Sequence, residues 1–228
     1  MRPIKKLERE KIEAERLAAV GQAAAGVAHT IKNILNGLEG GMYVFQTGMS
    51  KSDKERLEKG WEMLERNIGR VTTLTRHLLD FTRERKPQYR MIDPLKIVGD
   101  VLSLYRDSAW EAEIELQENL PERVEPASMD PEGLHSCLSN LVSNALDACR
   151  ASVKPLCRVK VSCREEGENL VFEVEDEGCG MDYEARRQAF TKMFTTRQDS
   201  GTGLGLFLTR KIVNEHGGRI DLESEPEK

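Results

Sequence analysis

The chain has 228 residues, of which 39% are hydrophobic and 32% charged, and its 34 basic and 39 acidic residues give a formal net charge of −5. This length suits one large domain or two modest ones, and the composition is typical of a globular protein. The acidic balance, without a basic stripe or tail, argues against nucleic acid as a partner. No apolar run approaches the roughly 20 residues that cross a bilayer, so we expect no membrane segment in this chain and a cytoplasmic location.

The cysteines are odd in number, and none of their spacings repeats the C-x-x-C pairs of a zinc site. They are Cys137, Cys149, Cys157, Cys163 and Cys179. We expect buried free thiols in a reducing cytoplasm, rather than a disulfide or a metal site.

Two long amphipathic helices are predicted in the N-terminal part, over residues 5–47 and 53–84. Both carry apolar or small residues at alternating spacings of four and three, which is a heptad seam. The first seam comprises Val20, Ala24, Val27, Ile31, Ile34, Leu38, Gly41 and Phe45, and the second Leu57, Trp61, Leu64, Ile68, Val71, Leu74, Leu78 and Phe81. The short segment 47–52 predicts a turn, with Ser52 or Asp53 capping the second helix. Because one hairpin cannot bury both seams, we expect two copies to form a dimeric four-helix bundle.

Pro87 ends the second helix and sets the predicted domain boundary, with a helical domain at 1–88 and a second domain at 89–228. The second domain reads as a helix from Asp93 to Glu111, a strand at 113–117 and a helix over 131–150. Two strands follow at 158–164 and 170–175, then a helix at 204–215 and a short strand at 219–223. This order predicts an α/β sandwich with one helical layer on a mixed sheet, and an α+β chain overall.

Three motifs of the second domain are candidates for a functional site, and the first of them suggests a phosphate ligand. The run Gly201-Thr-Gly-Leu-Gly-Leu206 leads into a helix, an arrangement whose backbone N–H groups can cradle phosphates. On the helix 131–150, the side chains of Asn140, Asn144 and Asp147 share one face. In Asp176-Glu-Gly-Cys-Gly180, a carboxylate stands at a strand end beside two glycines.

Taken in order with Phe190-Thr-Lys-Met-Phe-Thr-Thr-Arg197, these motifs resemble those of the sensor histidine kinases of bacteria. They correspond to the N-box at 140–148, the first glycine box at 176–180, the F-box at 190–197 and the second glycine box at 201–206. The segment Gly26-Val-Ala-His-Thr-Ile-Lys-Asn33 resembles the H-box. The resemblance implies a dimerisation and phosphotransfer hairpin, followed by an ATP-binding domain of the histidine kinase/gyrase type.

The resemblance further implies ATP and Mg²⁺ as cofactors, with Asn144 as the metal ligand and Asn140 lining the same site. Asp147 serves either the water network around the metal or a structural ion pair. Asp176 is implied to accept a hydrogen bond from the adenine amino group, with Gly178 and Gly180 letting the base lie against the backbone.

Residues 181–200 are implied to form a lid over the nucleotide. Phe194 packs the root of this lid, and Arg197 is a catalytic candidate that meets the phosphates. The remaining implied nucleotide contacts are Thr195, Thr196, Gly201, Thr202, Gly203, Leu204 and Gly205.

His29 matches the phosphoacceptor position, and its place off the seam predicts an exposed imidazole able to attack the γ-phosphorus. The implied product passes its phosphate to an aspartate of a response-regulator receiver. Asn33 matches the position that orients water for dephosphorylating that partner, which implies a phosphatase activity as well. Thr30 stands where most members of the family carry an acidic residue that assists proton removal.

Two alternatives remain open at this stage. Thr30, together with a C-terminus that stops before the family's last strand, is compatible with a nucleotide-binding pseudokinase. An ATPase of the gyrase, mismatch-repair or heat-shock type shares the Asn and glycine boxes. Such ATPases, however, have Glu at the Asn140 position and lack the hairpin that bears the histidine.

Overall fold

The structure is a computed structural model that describes residues 27–28, 30–82, 87–190 and 205–226. The described residues form two compact units. The first lies within residues 27–82, and the second comprises 87–190 and 205–226. None of the helices among them is long and apolar enough to cross a membrane.

The first unit is an antiparallel hairpin of helix α1, described over residues 30–51, and helix α2, Lys54–Thr82. The predicted turn at 47–52 is too long, because α1 remains helical to residue 51. Ser52 adopts a φ of 52°, and Asp53 caps α2 by accepting a hydrogen bond from the backbone N–H of Arg56 at 3.1 Å. The reversal therefore needs only two residues.

Glycines let the two helices approach each other closely. A β-carbon on Gly60 would stand 2.5 Å from the backbone nitrogen of Phe45, and one on Gly37 would stand 2.5 Å from Oδ1 of Asn67. Asn67 is 2% exposed, and its Nδ2 donates to the Met63 carbonyl at 2.7 Å. The hairpin core thus combines small residues with a satisfied polar side chain.

Part of each predicted seam lies inside this hairpin, and part remains outside it. Ile34 and Leu74 are buried, and Leu38 packs against them. A second set of large apolar side chains is exposed on the same helices: Ile31, Leu35, Met42, Met49, Trp61, Ile68 and Val71.

The second unit begins with strand β1 (Arg90–Ile92), helix α3 (Pro94–Glu111), strands β2 (Ile114–Asn119) and β3 (Ala127–Met129), and helix α4 (Pro131–Arg150). It continues with the strands β4 (Cys157–Glu166) and β5 (Asn169–Asp176), and with the helices α5 (Tyr183–Gln188) and α6 (Gly205–Glu215). Strand β4 is central, pairing parallel with β2 and antiparallel with β5, while β1 and β3 form a separate antiparallel ribbon. The predicted mixed sheet is confirmed.

One face of the sheet carries the core, as the strand pattern requires. Val159 and Val161 of β4 are buried in one cluster with Val98 of α3 and Val142 of α4. Arg158 and Lys160, which alternate with these valines, are charged; Arg158 pairs with Glu115 on β2 at 3.3 Å, and Lys160 pairs with Glu175 on β5 at 3.3 Å. Helices α3 and α4 therefore form the predicted helical layer.

Two expectations for this unit are wrong. Residues 219–223 form no strand, and run instead as an irregular segment after α6.

Cys149 and Cys157 are joined in a disulfide with their Cα atoms 5.6 Å apart, and only Cys137, Cys163 and Cys179 are free. The pairing of β2 with β4 sets Cys157 opposite Ile114 at the start of the sheet, next to the end of α4. No local spacing reveals that proximity.

Candidate functional site

Helix α4 begins after Asp130, with a proline at its first position, and its hydrophobic face lies on the sheet. Its polar face presents the three predicted side chains. Asn140 and Asp147 are half-buried, and Asn144 is exposed. An exposed amide oxygen is accessible to a cation or to a phosphate-bound water.

Asn140 connects α4 to the start of α6. Its Nδ2 donates to the backbone carbonyl of Gly205 at 3.4 Å and lies 3.5 Å from Oγ1 of Thr209. The middle of α4 is therefore brought against the first residue of α6, where the glycine run ends.

Thr209 belongs to the site although the motifs do not include it. Its side chain is completely buried, and its hydroxyl donates to the Gly205 carbonyl at 2.9 Å. The hydroxyl oxygen is then an acceptor for the Asn140 amide, which helps to fix how that amide is turned. The only sequence signal for Thr209 as a site residue was the presence of a hydroxyl group within the apolar face of α6.

Helix α6 is also fixed to α4 at its other end. Nε2 of His216 accepts a hydrogen bond from the backbone N–H of Asp130 at 3.0 Å. The ring of Tyr89 packs edge-on against His216, and the Tyr89 hydroxyl donates to the Glu215 carbonyl at 2.6 Å. The hydrogen bonds Asp130–His216 at one end and Asn140–Gly205 at the other therefore hold α6 antiparallel to α4.

The turn after β5 is formed by the predicted carboxylate and its two glycines. The backbone N–H of Gly178 donates to Oδ1 of Asp176 at 2.9 Å, and Gly180 has a φ of 64°, which favours glycine. Gly178 is buried against Ala148 of α4, whereas Asp176 is exposed. The carboxylate of Asp176 therefore remains accessible at the edge of this turn.

This turn, residues 176–180, is attached to two elements. The N–H of Cys179 donates to the Ala148 carbonyl on α4 at 3.1 Å, and the N–H of Glu177 donates to the Arg158 carbonyl on β4 at 3.0 Å. On the outside, Nζ of Lys154 donates to the Glu177 carbonyl at 3.0 Å. Helix α4 thus contacts both glycine motifs, one at its middle and one at its end.

Asp147 forms an ion pair with Arg150 at 3.0 Å, and the same guanidinium donates to the hydroxyl of Ser108 on α3 at 2.6 Å. The structural alternative for Asp147 is therefore realised. A role in a metal's water network remains a separate prediction.

The segment after α6 approaches the glycine turn. The backbone N–H of Met181 donates to Oγ of Ser224 at 2.9 Å, and Arg186 donates to the Ser224 carbonyl at 3.3 Å. The Glu225 carbonyl occupies the place that a side chain on Gly180 would need. Glycine is required at 180 for space as well as for its backbone conformation.

Several predicted residues lie outside the described part of the chain: His29, Phe194, Thr195, Thr196, Arg197, Gly201, Thr202, Gly203 and Leu204. Asn33 and Thr30 are described, both half-buried on α1 in the first unit.

An open hollow of about 560 Å³ lies elsewhere on the second unit, lined by Phe190, Phe207, Arg210, Lys211, Asn214 and Glu215. It includes neither the Asn140 face nor Asp176, so we place the candidate site at the α4 surface and not in this hollow.

The second unit is an α/β sandwich in which one helix carries an asparagine face between two glycine motifs. This combination is typical of one class of domain, the ATP-binding domain of the histidine kinase and gyrase type. Residues 129–228 match the family of histidine kinase-, DNA gyrase B- and HSP90-like ATPases. The chain contains a domain of this family, and over nearly its whole length it is homologous to sensor histidine kinases. The resemblance predicted from the five motifs is confirmed.

Two relatives illustrate this homology. The signal transduction histidine-protein kinase AtoS of Escherichia coli K12 is 32% identical over 222 residues, which cover 97% of this chain and 35% of AtoS. The sensor histidine kinase ZraS of Klebsiella oxytoca is 33% identical over 227 residues, or 98% of this chain and 47% of ZraS. The chain thus spans less than half the length of either relative.

Solved structures share the fold. The histidine kinase ThkA, in its complex with the response regulator protein TrrA, matches 93% of this chain and 60% of its own with a TM-score of 0.71 at 24% identity. The Acinetobacter baumannii histidine kinase AdeS matches 87% of this chain and 92% of its own with a TM-score of 0.62 at 22% identity. These likenesses support the predicted architecture of a helical hairpin followed by an α/β domain.

Proposed function

We propose that this chain is the core of a two-component sensor histidine kinase, an ATP-dependent protein-histidine kinase. It binds Mg-ATP in the second unit and transfers the γ-phosphate to His29. One observation carries most of the proposal: α4, with its asparagine face, contacts the 176–180 turn through Ala148 and the end of the glycine run through Asn140. Motifs that are far apart in sequence therefore share one surface.

The adenine end of the site is the 176–180 turn. Asp176 is exposed and can accept a hydrogen bond from an amino group. The match of Gly178 and Gly180 to the first glycine box assigns this backbone to the face of the base. At the other end, α6 begins at Gly205 beside Asn140, and a helix N-terminus favours negatively charged groups. Arg197 and the residues 194–196 and 201–204 complete the proposed phosphate end on the strength of their motifs.

Magnesium fits the donor set of the α4 surface. Among the described residues, no group of three or more His, Cys, Asp or Glu side chains is placed to hold a metal ion. A magnesium ion bound with a nucleotide needs few protein ligands, because phosphates and water supply most of its oxygens. The exposed amide of Asn144 is the proposed protein ligand, and the bound ion would neutralise phosphate charge.

Phosphate transfer is proposed to involve the first unit, which we assign to residues 1–88, leaving 89–228 as the ATP-binding domain. A ring nitrogen of His29 attacks the γ-phosphorus, so that a nitrogen–phosphorus bond forms while the bond to the ADP oxygen breaks. Thr30 has a hydroxyl group and cannot act as a base near neutral pH. The imidazole proton therefore passes to a carboxylate elsewhere or to water.

Dimerisation is proposed to occur through the hairpin. Five large apolar side chains of the hairpin are each at least 51% exposed in a single chain: Leu35, Met42 and Met49 on α1, and Trp61 and Ile68 on α2. A second copy that packs against these side chains removes them from water and forms a four-helix bundle, in which burial of each large side chain contributes roughly 1.5–3 kcal/mol.

The proposed partner is the receiver domain of a response regulator, whose aspartate takes the phosphate from His29. ThkA, which shares this fold, has been solved in complex with such a protein. We also propose a bacterial, cytoplasmic location for the chain, because the homologous kinases AtoS and ZraS come from bacteria and the proposed partner is a response regulator.

Incubation with γ-labelled ATP and Mg²⁺ tests the kinase activity, with His29→Ala as the matched variant. We expect acid-labile label in the wild type and none in His29→Ala. Label that survives the substitution would overturn the assignment of His29. Absence of label in both proteins, with ATP still bound, would instead indicate the pseudokinase.

The phosphatase activity has its own test. A phosphorylated receiver is incubated with the wild type and with Asn33→Ala, and the loss of phosphate is followed over time. We expect slower loss with Asn33→Ala, and equal rates would contradict the role of Asn33.

A further inference from the structure

The disulfide between Cys149 and Cys157 joins the last turn of α4 to the first residue of β4. Both residues are buried, at 5% and 4% exposed, whereas the loop that they close is open to solvent, with Val153 97% exposed. The bond therefore lies under a surface loop, at the junction between the helical layer and the sheet.

The neighbours of these two cysteines hold the glycine turn. Ala148 precedes Cys149, and its carbonyl accepts the N–H of Cys179 at 3.1 Å. Arg158 follows Cys157, and its carbonyl accepts the N–H of Glu177 at 3.0 Å. The disulfide thus fixes the separation of the two carbonyls that grip the turn on either side of Gly178.

The loop closed by the disulfide and the residue after it support the same turn from outside. Lys154 donates to the Glu177 carbonyl at 3.0 Å, and the Arg158 guanidinium lies 3.7 Å from the Glu177 carboxylate. A short closed loop has few alternative conformations, and opening it restores them.

We propose that Cys149 and Cys157 form a thiol–disulfide site that sets the rigidity of the 176–180 turn, and through it the affinity for nucleotide. The second half of this statement rests on the proposed nucleotide-binding function. Oxidised protein holds the turn in its binding conformation, and reduced protein lets α4 and β4 separate locally.

The reagent class is a low-molecular-weight disulfide such as oxidised glutathione. One cysteine thiolate attacks this disulfide, forming a mixed disulfide and releasing one small thiol. The second cysteine then displaces the other small thiol as the Cys149–Cys157 bond forms. Two cysteine thiols are oxidised, one small disulfide is reduced to two thiols, and the two protons end on those thiols.

The other buried thiols are poorly suited to compete. Burial raises the pKa of Cys137 to about 12 and that of Cys163 to about 11, so both are neutral at physiological pH. The thiolate is the reactive form, so neither thiol readily forms a mixed disulfide.

The first measurement is a thiol count in denaturant on the full chain, after incubation with oxidised glutathione or with a phosphine reductant. Oxidised protein is expected to show three free thiols, and reduced protein all five cysteines of the chain. Peptide mass mapping should assign the missing pair to Cys149 and Cys157. Five thiols after oxidation, or a different pair, would overturn the site.

The second measurement is the affinity of each form for a fluorescent ATP analogue. We expect oxidised protein to bind roughly fivefold more tightly, which is at the lower end of coupling between two sites. The double variant Cys149→Ser/Cys157→Ser should match reduced wild type under both conditions. The control Cys163→Ala, on the same strand β4, should retain the difference. Equal affinity of oxidised and reduced wild type would overturn the coupling.

Amide hydrogen exchange tests the effect of the disulfide on the turn without relying on nucleotide binding. It requires only wild-type protein, so it can be done even if the double variant fails to fold. The amides of Glu177 and Cys179 should exchange more slowly in oxidised protein. If neither form binds the analogue, the proposed function fails, while slower exchange still supports the clamp on the turn. Equal exchange rates in the two forms would overturn the clamp.

Discussion

Gly178 lies against Ala148 with no space for a side chain. A β-carbon built on Gly178 would stand 2.5 Å from the β-carbon of Ala148 and 2.7 Å from Oδ1 of Asp176. The contact joins the first glycine box to helix α4, which carries the asparagine face. The two parts of the candidate site can approach this closely because residue 178 has no β-carbon.

Gly178→Ala should therefore displace the 176–180 turn from α4. Overpacking of this kind costs about 1–3 kcal/mol, and we expect the affinity for an ATP analogue to fall about tenfold. The measurement is a binding titration. Gly99→Ala in α3 is the control, because nothing lies within 4 Å of its added β-carbon and alanine favours a helix. Wild-type affinity in Gly178→Ala would contradict the close contact.

Thr209 should act through its hydroxyl. Thr209→Val keeps the shape but removes the acceptor that lies 3.5 Å from Asn140 Nδ2. The loss of one buried hydrogen bond costs about 1 kcal/mol, and we expect kcat/KM for autophosphorylation to fall about fivefold. Thr209→Ser restores the hydroxyl and should retain most of the activity. Unfolding midpoints measured alongside separate stability from function, and equal impairment of the Ser and Val variants would show that the methyl group matters instead.

The hairpin should be sensitive to a methyl group at Gly60. A β-carbon there would stand 2.5 Å from the Phe45 backbone nitrogen, and backbone cannot yield as the end of a side chain does. We expect Gly60→Ala to lower the free energy of unfolding by about 2 kcal/mol. Gly69→Ala on the same helix has nothing within 4 Å and should be neutral or stabilising by up to about 1 kcal/mol. Urea titration of both variants tests the contrast, and equal stabilities would refute the close approach of the two helices.

Stability should fall at alkaline pH in part because of Cys137. Burial, with smaller contributions from the charges of Asp130 and Glu215, raises its pKa from 9.0 to about 12. Above pH 9 the unfolded chain releases this thiol proton while the folded chain keeps it, so the stabilisation present below pH 9 is lost as pH rises towards 12. Each pH unit in that window removes about 1.4 kcal/mol.

Cys137→Ala isolates this effect from other groups that titrate at high pH. The difference in free energy of unfolding between wild type and Cys137→Ala should be constant from pH 6 to about pH 8 and should shrink between about pH 9 and pH 11. A difference that does not change across the alkaline range would refute the raised pKa.

The sequence predicted several elements closely because their signals are local. Asp93-Pro94 and Asp130-Pro131 mark the starts of α3 and α4, and Asp93 caps α3 by accepting from the Leu95 N–H at 3.0 Å. A cap and a periodic apolar face involve residues within a few turns of each other. The strands β1 and β3 were missed because each has three residues, too few for a pattern.

The asparagine face, the carboxylate with its glycines and the glycine run were all read from residue types and spacing. The attachment of these motifs to one another was not, because it depends on residues distant in the chain. Thr209 lies 69 residues after Asn140 and contacts it at 3.5 Å, and Gly178 packs against Ala148 of α4.

By itself, then, the sequence determined the long helices, the strands β2, β4 and β5, and which residues bear the proposed chemistry, since backbone propensity and side-chain period act over short separations. Only the tertiary structure decided that Ala148 supports the glycine turn, that the 219–223 segment forms no strand and that two cysteines are paired. Those outcomes depend on how α4 and α6 pack on the sheet β2–β4–β5, and close packing between distant segments leaves no periodic mark in the chain.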